Sequence, residues 1–318
     1  MDLSIIIVNW NTRNLLETCL NSVFKFTHNI EYEIIVVDNG SKDNSVEMLK
    51  DKFRLVKIIQ NERNLGFSKA VNRGLSIAEG DNVLLLNSDV FITNNSFFKM
   101  ISFLEKRPDI VAISCKVFYP DGKIQPALSK YPSLSGTLYN FIQIINFFPN
   151  HRFFNKWNAT KWDYNKSREL TPDLMIGGGC FMIRKKCIDE IGFMDENFSP
   201  AYCEDADWCY RINEKGLKMY YLAEAEIYHH HGYTFKNTNE KFKEYITLTT
   251  QKNRQYFFKK HYGFSSLLLL KIIDFLQNML FVFYIVFMIC LRFRVNDREL
   301  YRKLKLHAKL MVNSFLPV

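Results

Sequence analysis

Four polar clusters in this chain have the side-chain types needed to hold an anion, a cation and an alcohol. The densest is Tyr202-Cys203-Glu204-Asp205-Ala206-Asp207-Trp208-Cys209-Tyr210-Arg211. Its three acids fall at a predicted helix start, where the macrodipole favours negative charge. Capping alone accounts for one or two of them, and a remaining carboxylate facing a cleft is a candidate general base. Asp207 and Arg211 are four apart, the spacing of an ion pair on a helix. His229-His230-His231-Gly232 follows an extended run, and alternation puts His229 and His231 on one face. Imidazole can complete a cation site otherwise made of carboxylate and phosphate oxygens. Leu84-Leu85-Leu86-Asn87-Ser88-Asp89 passes from core-like leucines to an acid. A lone acid after a strand is most often a turn residue. A divalent cation bridging a diphosphate nevertheless needs only one or two protein carboxylates. Asp38 ends another apolar run, where a carboxylate suits a ribose hydroxyl or a base N–H as well as it suits an Asx turn.

The elements that must position these groups read as alternating strands and helices. Leu3 to Val8 is a continuous β-branched run of the kind buried on both faces of a parallel sheet. An amphipathic helix follows, with Leu15, Leu16, Cys19, Leu20, Val23 and Phe24 on one stripe. Further strands are predicted at Glu33 to Val37, Val56 to Ile59, Val83 to Leu86 and near Ile110 to Ser114. Helices carrying Val46 and Leu49, then Ala70, Val71 and Leu75, lie between them. Repeated β-α-β units of this kind predict an open, mostly parallel α/β sheet flanked by helices. Ligands of such sheets sit at the carboxyl ends of the strands. Asn9 and Asn11, Asp38 and Asn39, and Asn87 and Asp89 all fall there. Asn64-Leu65-Gly66-Phe67, with Asn72 beyond it, places small residues at a helix start, where backbone N–H groups can meet a phosphate. Plain tight packing is the alternative.

The second half is less regular. Pro120-Asp121-Gly122 is a hairpin-tip signal, and residues 126–170 show weak periodicity. Gly177-Gly178-Gly179 reads as a close-packed turn entering a strand. Met219 to Leu222 and Ala225 to His229 look extended, and Gly216 is placed to close the helix that begins at Glu204.

Composition narrows the class. Of 318 residues, 47% are hydrophobic and 24% charged, which excludes global disorder. The formal charge of +9 calls for an anionic partner, and much of it lies in a basic C-terminal tail. That distribution, with no zinc-finger or RNA-binding signature, argues against nucleic acid. Seven scattered cysteines without CxxC pairs read as reduced and structural. No signal peptide is apparent, since Met1 is followed at once by an acid and a strand-like run, so the catalytic part is expected to face the cytoplasm. Residues 265–293 are the most apolar stretch, yet Met279 to Leu291 is shorter than the roughly 20 residues of a spanning helix. Basic residues flank it on both sides. A helix lying in or dipping into an anionic membrane surface fits better than a span. A buried helix pair or a homodimer contact is the alternative.

Taken in order, SIIIVNWNT, VVDNGSKD, NLGFSKAVNRG, LLLNSDV, GGGCFMIRK, GFMDENF, EDADWCYR and YHHHG resemble family 2 glycosyltransferases of the GT-A fold, especially the rhamnosyltransferase-like branch of bacterial polysaccharide biosynthesis. The resemblance runs from residue 4 to about 234. It implies a nucleoside-diphosphate-sugar donor, a Mg²⁺ or Mn²⁺ cofactor, and inverting transfer to a saccharide or lipid-linked saccharide hydroxyl. Asp38 would hold the nucleoside, among a donor-binding set of Val8, Asn9, Asn11, Asn39, Asn64, Gly66, Phe67, Asn72, Asn87 and Ser88. Asp89 would bind the metal as the last acid of a DXD-like motif whose first acid is here Asn87. His229 is the best match to the family's C-terminal metal histidine, with His231 its rival. Asp205 would be the base and Glu204 its assistant. Gly178, Gly179, Asp207, Trp208 and Arg211 are expected on the acceptor side.

The implied organisation is a catalytic domain at 1–264, divided into a donor part (1–115) and an acceptor part (116–264), with a helical extension at 265–318. The enzyme is expected at the cytoplasmic face of the plasma membrane. dTDP-rhamnose is the first donor expected, with UDP-hexose or UDP-N-acetylhexosamine as alternatives. A sugar nucleotidyltransferase would carry a glycine-rich, basic loop after its first strand, where this chain has Asn9-Trp10-Asn11-Thr12-Arg13. An inactive membrane-bound scaffold would tolerate loss of Asp89 or Asp205, and both are present.

Overall fold

The β-branched run at the N-terminus forms strand β1 (Leu3–Asn9), almost wholly buried, as expected of a strand covered by helices on both faces. The computed structural model describes residues 1–144, 162–177, 179–230, 232, 238–292 and 298–318. Helix α1 (Arg13–Phe26) buries Leu16, Cys19, Leu20 and Val23, the stripe anticipated from its periodicity. There follow β2 (Tyr32–Asp38), α2 (Ser45–Lys52), β3 (Lys57–Gln60), α3 (Phe67–Leu75), β4 (Asn82–Asn87), β5 (Val90–Phe91), α4 (Ser96–Lys106) and β6 (Ile110–Phe118). Next come β7 (Ile124–Gln125), β8 (Leu128–Lys130), α5 (Leu134–Ile144), β9 (Arg168–Glu169), β10 (Leu174–Ile176), β11 (Cys180–Arg184) and α6 (Lys185–Ile191). The chain ends with α7 (Glu204–Glu214), β12 (Lys218–His229), α8 (Glu240–His261), α9 (Gly263–Arg292) and α10 (Arg298–Asn313).

Among the described residues, ten strands form one sheet with the path β3-β2-β1-β4-β11-β6-β12-β5, β7 pairing with β6 and β9 with β12. The first four strands of the path are parallel, as are β6 and β12. Strand β11 enters between β4 and β6 antiparallel to both. The architecture is therefore the expected mostly parallel α/β sheet, with β11 inserted against that direction and the short strands β5, β7 and β9 pairing antiparallel at its margins. The two extended pieces before the histidines are a single strand, β12, with irregular register between Leu222 and Glu226. Pro120-Asp121-Gly122 turns β6 into β7, with Gly122 at φ +83°.

The register sets the site. In β1, β2 and β3 the residues Asn9, Asp38 and Gln60 are level, and Val8 is level with Asn87 of β4. The polar carboxyl ends of the strands are thus brought side by side by pairing of the apolar segments that precede them.

The chain divides into two compact units. One comprises the described residues of Met1–Tyr131, Asn158–Pro200 and Glu204–Asn237, and contains all the strands found among the described residues. The other comprises those of Pro132–Trp157, Ala201–Cys203 and Thr238–Val318. In this second unit α9 is continuous for 30 residues, longer than its charge-free core suggested. One stripe (Leu267, Leu270, Asp274, Asn278, Ile285) is buried, and Asp274 pairs there with Arg254 of α8. The opposite stripe exposes Phe264, Leu269, Ile272, Leu276, Phe283 and Phe287. Gly263–Cys290, with a mean hydropathy of 2.1, is long and apolar enough to cross a membrane, and little of its most apolar part is buried.

Candidate active site

Asp38 is fully buried at the end of β2, where its Oδ2 accepts from Asn9 Nδ2 (2.9 Å) and its Oδ1 from the Ser41 amide (2.9 Å). It is thus both the Asx-turn residue and a carboxylate at the carboxyl edge of the sheet. Asn9 Oδ1 accepts from Thr12 Oγ1 (2.7 Å), whose oxygen also lies 2.8 Å from Ser88 Oγ. This hydroxyl chain ties the β1 loop to the β4 loop. Asn11 adopts φ +54° and accepts from the Lys42 amide at 2.7 Å. Val8 is half-buried just before it.

Several residues expected to face the donor are engaged with the protein. Asn39 is 2% exposed; its Nδ2 donates to Asn64 Oδ1 and the Gly66 carbonyl, while its Oδ1 accepts from Asn61 and the Leu65 amide. It therefore fixes the loop before α3. The Phe67 amide at the start of α3 donates to the Pro200 carbonyl (2.7 Å), so this N–H meets backbone rather than phosphate. Gly66 has φ +91°, and a Cβ there would stand 3.0 Å from Ser199 Oγ. Asn72 Nδ2 donates to the Met194 carbonyl and to Glu196, and its Oδ1 accepts from the Met194 amide. Its amide clamps a later loop.

On the other side of β1, Asp89 and His229 face each other. His229 Nε2 is 3.1 Å from Asp89 Oδ1 and 3.3 Å from Asn87 Nδ2, and the ring is 4% exposed. Register produces this meeting: His229 is level with Val90 across the β12–β5 pair, and the His230 amide donates to the Asp89 carbonyl. Gly179 lies against both groups. At its φ of +87° a Cβ would stand 2.9 Å from Asn87 Nδ2 and 3.2 Å from the imidazole, so only glycine lets the chain pass. Gly178 and His231 fall outside the described residues.

Among the described residues no three His, Cys, Asp or Glu side chains converge on one point. The Asp89–His229 pair supplies one hard oxygen and one imidazole nitrogen. That donor set fits Mg²⁺ or Mn²⁺ only when ligand oxygens and waters complete the shell. Gln125 of β7 backs the ring, its Nε2 3.0 Å from His229 Nδ1. Neither Gln125 nor Thr12 was legible as a site residue, because each lies in a segment whose local pattern carries no chemical signal.

Asp205 and Glu204 open α7, directly after Tyr202 and Cys203, which adopt φ +77° and +72°. Non-glycine residues in this region cost energy and collect at functional turns. Glu204 is 7% exposed. Asp205 is half-buried; its Oδ1 accepts from the Ala206 amide (2.8 Å), and a Cβ on Gly177 would stand 3.7 Å from its Oδ2. Burial pushes its carboxyl up to about 6, with the backbone hydrogen bonds opposing in part. A carboxylate at that value is a competent base near neutrality.

The remaining residues expected on the acceptor side are engaged with the protein. Asp207 is fully buried and pairs with Arg211 (2.8 Å), whose guanidinium also donates to the carbonyls of Ile191, Gly192 and Phe193. Trp208 is fully buried and donates from Nε1 to the Gly192 carbonyl at 2.9 Å. Asp207 and Trp208 thus brace the turn after α6. Cys19 and Cys209 are thiols raised well above the usual range by burial.

With this geometry in hand, the family follows from comparison with known proteins. The model of the family described as "Glycosyl transferase family 2" matches residues 4–192. The chain belongs to this family. An N-acetylglucosaminyl-diphospho-decaprenol L-rhamnosyltransferase of Mycobacterium tuberculosis is 24% identical over 213 residues, covering 63% of this chain and 67% of that protein. The O-antigen biosynthesis protein RfbC of Myxococcus xanthus is 24% identical over 230 residues, 71% of this chain. The chain spans only 17% of the length of RfbC and 24% of that of an uncharacterized protein of Sinorhizobium fredii. Among solved structures, a mannosyltransferase of Pyrobaculum calidifontis in complex with GDP-Man and Mn²⁺ superposes with a TM-score of 0.56 at 13% identity. That match covers 98% of this chain and 85% of the other, and it shows the GT-A fold.

Proposed function

We propose that this family 2 member is an inverting glycosyltransferase that moves a sugar from a nucleoside-diphosphate-sugar to a saccharide hydroxyl. The observation that carries the reading is the meeting of Asp89 and His229 at the ligand edge of the sheet, 3.1 Å apart. Asp38, with Asn9 holding its orientation, binds the nucleoside end of the donor. Asp89 and His229 would hold Mg²⁺ or Mn²⁺ against the diphosphate. When bound, that ion neutralises charge on the departing diphosphate. Asp205 takes the proton from the acceptor hydroxyl as its oxygen attacks the anomeric carbon. The bond from that carbon to the diphosphate oxygen breaks on the opposite face, so configuration inverts and no enzyme–sugar bond forms.

The rhamnosyltransferase name of the mycobacterial relative favours dTDP-rhamnose as donor, with UDP-hexose or UDP-N-acetylhexosamine as alternatives. Its name also favours a lipid-linked diphosphate saccharide as acceptor. The test is thermal stabilisation by a panel of dTDP-, UDP- and GDP-sugars with and without Mn²⁺. A matching donor at a hundred times its Kd should add about 2.7 kcal/mol to stability. Its effect should weaken without Mn²⁺. If no nucleotide sugar moves the melting temperature under either condition, the donor reading fails.

Residues 265–318 then attach the catalytic part, 1–264, to the cytoplasmic face of the plasma membrane. The exposed stripe of α9 suits a helix lying in the interface, because the opposite stripe keeps the Arg254–Asp274 pair and the Asn278–His307 contact (2.8 Å) among packed helices. A spanning orientation would carry that ion pair into hydrocarbon. Phe283→Ser combined with Phe287→Ser should weaken binding to vesicles containing anionic lipid by at least about tenfold, since each ring buries roughly 1.5–3 kcal/mol. High salt should weaken native binding further. Unchanged sedimentation of the double variant with vesicles would place the anchor elsewhere.

A further inference from the structure

Gln125 is 2% exposed, and its Nε2 lies 3.0 Å from His229 Nδ1, on the ring's far side from Asp89. Its Oε1 is buried with no hydrogen-bond partner among the described residues. Across the imidazole, Nε2 faces Asp89 Oδ1 at 3.1 Å. A neutral imidazole carries one ring proton, and the bond made at one nitrogen decides which nitrogen holds it. With the Gln125 N–H donating to Nδ1, the proton sits on Nε2 and points at Asp89. A ring in that state offers no lone pair to a cation at Nε2. Turning the amide over by 180° sets Oε1 against Nδ1, so the proton moves to Nδ1 and Nε2 presents its lone pair beside Asp89. Amide oxygen and nitrogen are nearly equal in size, so one pocket holds both orientations. Each orientation leaves one amide atom without a partner, which keeps the two states close in energy. What Nε2 faces then decides between them.

We propose that Gln125 is a positioning residue that serves both tautomers of His229. It donates to Nδ1 when Nε2–H faces Asp89 and the Asn87 amide with no cation between, and accepts from Nδ1–H when a divalent cation lies between Nε2 and Asp89. This rests on the assignment of Asp89 and His229 as cation ligands. A glutamate here would only accept and would hold Nδ1–H in both states. A leucine would support neither, and binding a cation at Nε2 would then bury an unpaired Nδ1–H.

Two readouts test it. Ring-nitrogen NMR shifts of ¹⁵N-histidine-labelled protein report the tautomer, with and without Mg²⁺ and UDP or dTDP. Electron paramagnetic resonance titration reports Mn²⁺ affinity in the presence of the same nucleotides. Native protein should carry the proton on Nε2 alone and on Nδ1 with Mg²⁺ and nucleotide. Gln125→Leu should keep Nε2–H without cation and bind Mn²⁺ about 10–100-fold more weakly, the usual cost of losing a group that orients a metal-binding histidine. Gln125→Glu should show Nδ1–H before any cation is added and bind Mn²⁺ at least as tightly as native protein. A purely structural role would leave the tautomer of Gln125→Glu unchanged. Native affinity in Gln125→Leu with an unaltered shift to Nδ1–H overturns the proposal. If native protein binds no Mn²⁺ at all, the cation assignment falls on its own. The effect of Gln125 is then decided by the cation-free spectra, where an Nε2–H ring in Gln125→Glu overturns it.

Discussion

Asp205→Asn should abolish sugar transfer, lowering turnover by about 10²–10⁴-fold, the range general-base catalysis supplies, while donor binding is kept. Asparagine preserves the shape of the side chain and its acceptor oxygen toward the Ala206 amide, but it cannot take a proton. The groups proposed for the donor side come from β2 (Asp38), the turn between β4 and β5 (Asp89) and β12 (His229), so stabilisation by nucleotide sugar should survive the change. In the native enzyme kcat/KM should fall as pH drops through about 6, because the base works only when ionised. Normal turnover by the variant would remove Asp205 from the base role.

The same substitution has a stability consequence of opposite sign. The folded-state value of Asp205 lies above its usual 3.8, at about 6, and burial is the largest cause. Ionising it therefore opposes folding. Its favourable contribution is complete below about pH 4 and is lost as pH rises through about 6. The ceiling of this loss is roughly 3 kcal/mol, and half of that is a fair expectation because the side chain keeps some contact with water. Asp205→Asn should thus melt higher than native protein at pH 8, with the gain shrinking toward pH 5. A catalytic residue whose removal stabilises the fold is the pattern expected when a carboxyl is held partly desolvated for chemistry.

How much of this was legible before the fold was known depends on the range of the interactions. β1, α1 and β4 could be read from periodicity, because a strand buried on both faces and an amphipathic helix write their environments into consecutive residues. The placement of Asp38 and Asp89 at the carboxyl ends of β2 and β4 followed from the same pattern, since each stands at the close of an apolar run. The insertion of β11 between β4 and β6 was not legible, because a buried antiparallel strand looks locally like a buried parallel one. The burial of Asp207 and Trp208 and the partners of Arg211 were not legible either. A charged and aromatic helix start resembles a binding surface, but the carbonyls of Ile191, Gly192 and Phe193 that absorb Arg211 lie about twenty positions upstream. Gln125 and His229 are 104 positions apart, and nothing local to either announces the other. The glycine at 179 was expected to face an acceptor. Its requirement comes instead from Asn87 and His229, which arrive from two other strands.

Asp89→Asn should lower turnover by about 10²–10³-fold, comparable to losing one preorganised group that stabilises charge in a transition state. The size of the effect follows from how few protein donors are available. With no third acid, histidine or thiol converging among the described residues, Asp89 and His229 cannot hold a divalent ion tightly by themselves. Affinity must depend on diphosphate oxygens from the donor, so cation and donor should bind cooperatively. An amide at position 89 keeps an oxygen but removes the negative charge. The variant should therefore need more Mn²⁺ for half-maximal activity and recover part of its turnover when Mn²⁺ is raised. Asp205→Asn should recover none, since its defect is a missing proton acceptor. That contrast separates the two carboxylates by role where a simple loss of activity would not. Native enzyme should likewise lose activity in EDTA and regain it on addition of Mg²⁺ or Mn²⁺. Full activity in chelator, or Asp89→Asn turning over normally without added Mn²⁺, would leave Asp89 as the turn residue that its position after β4 most often indicates.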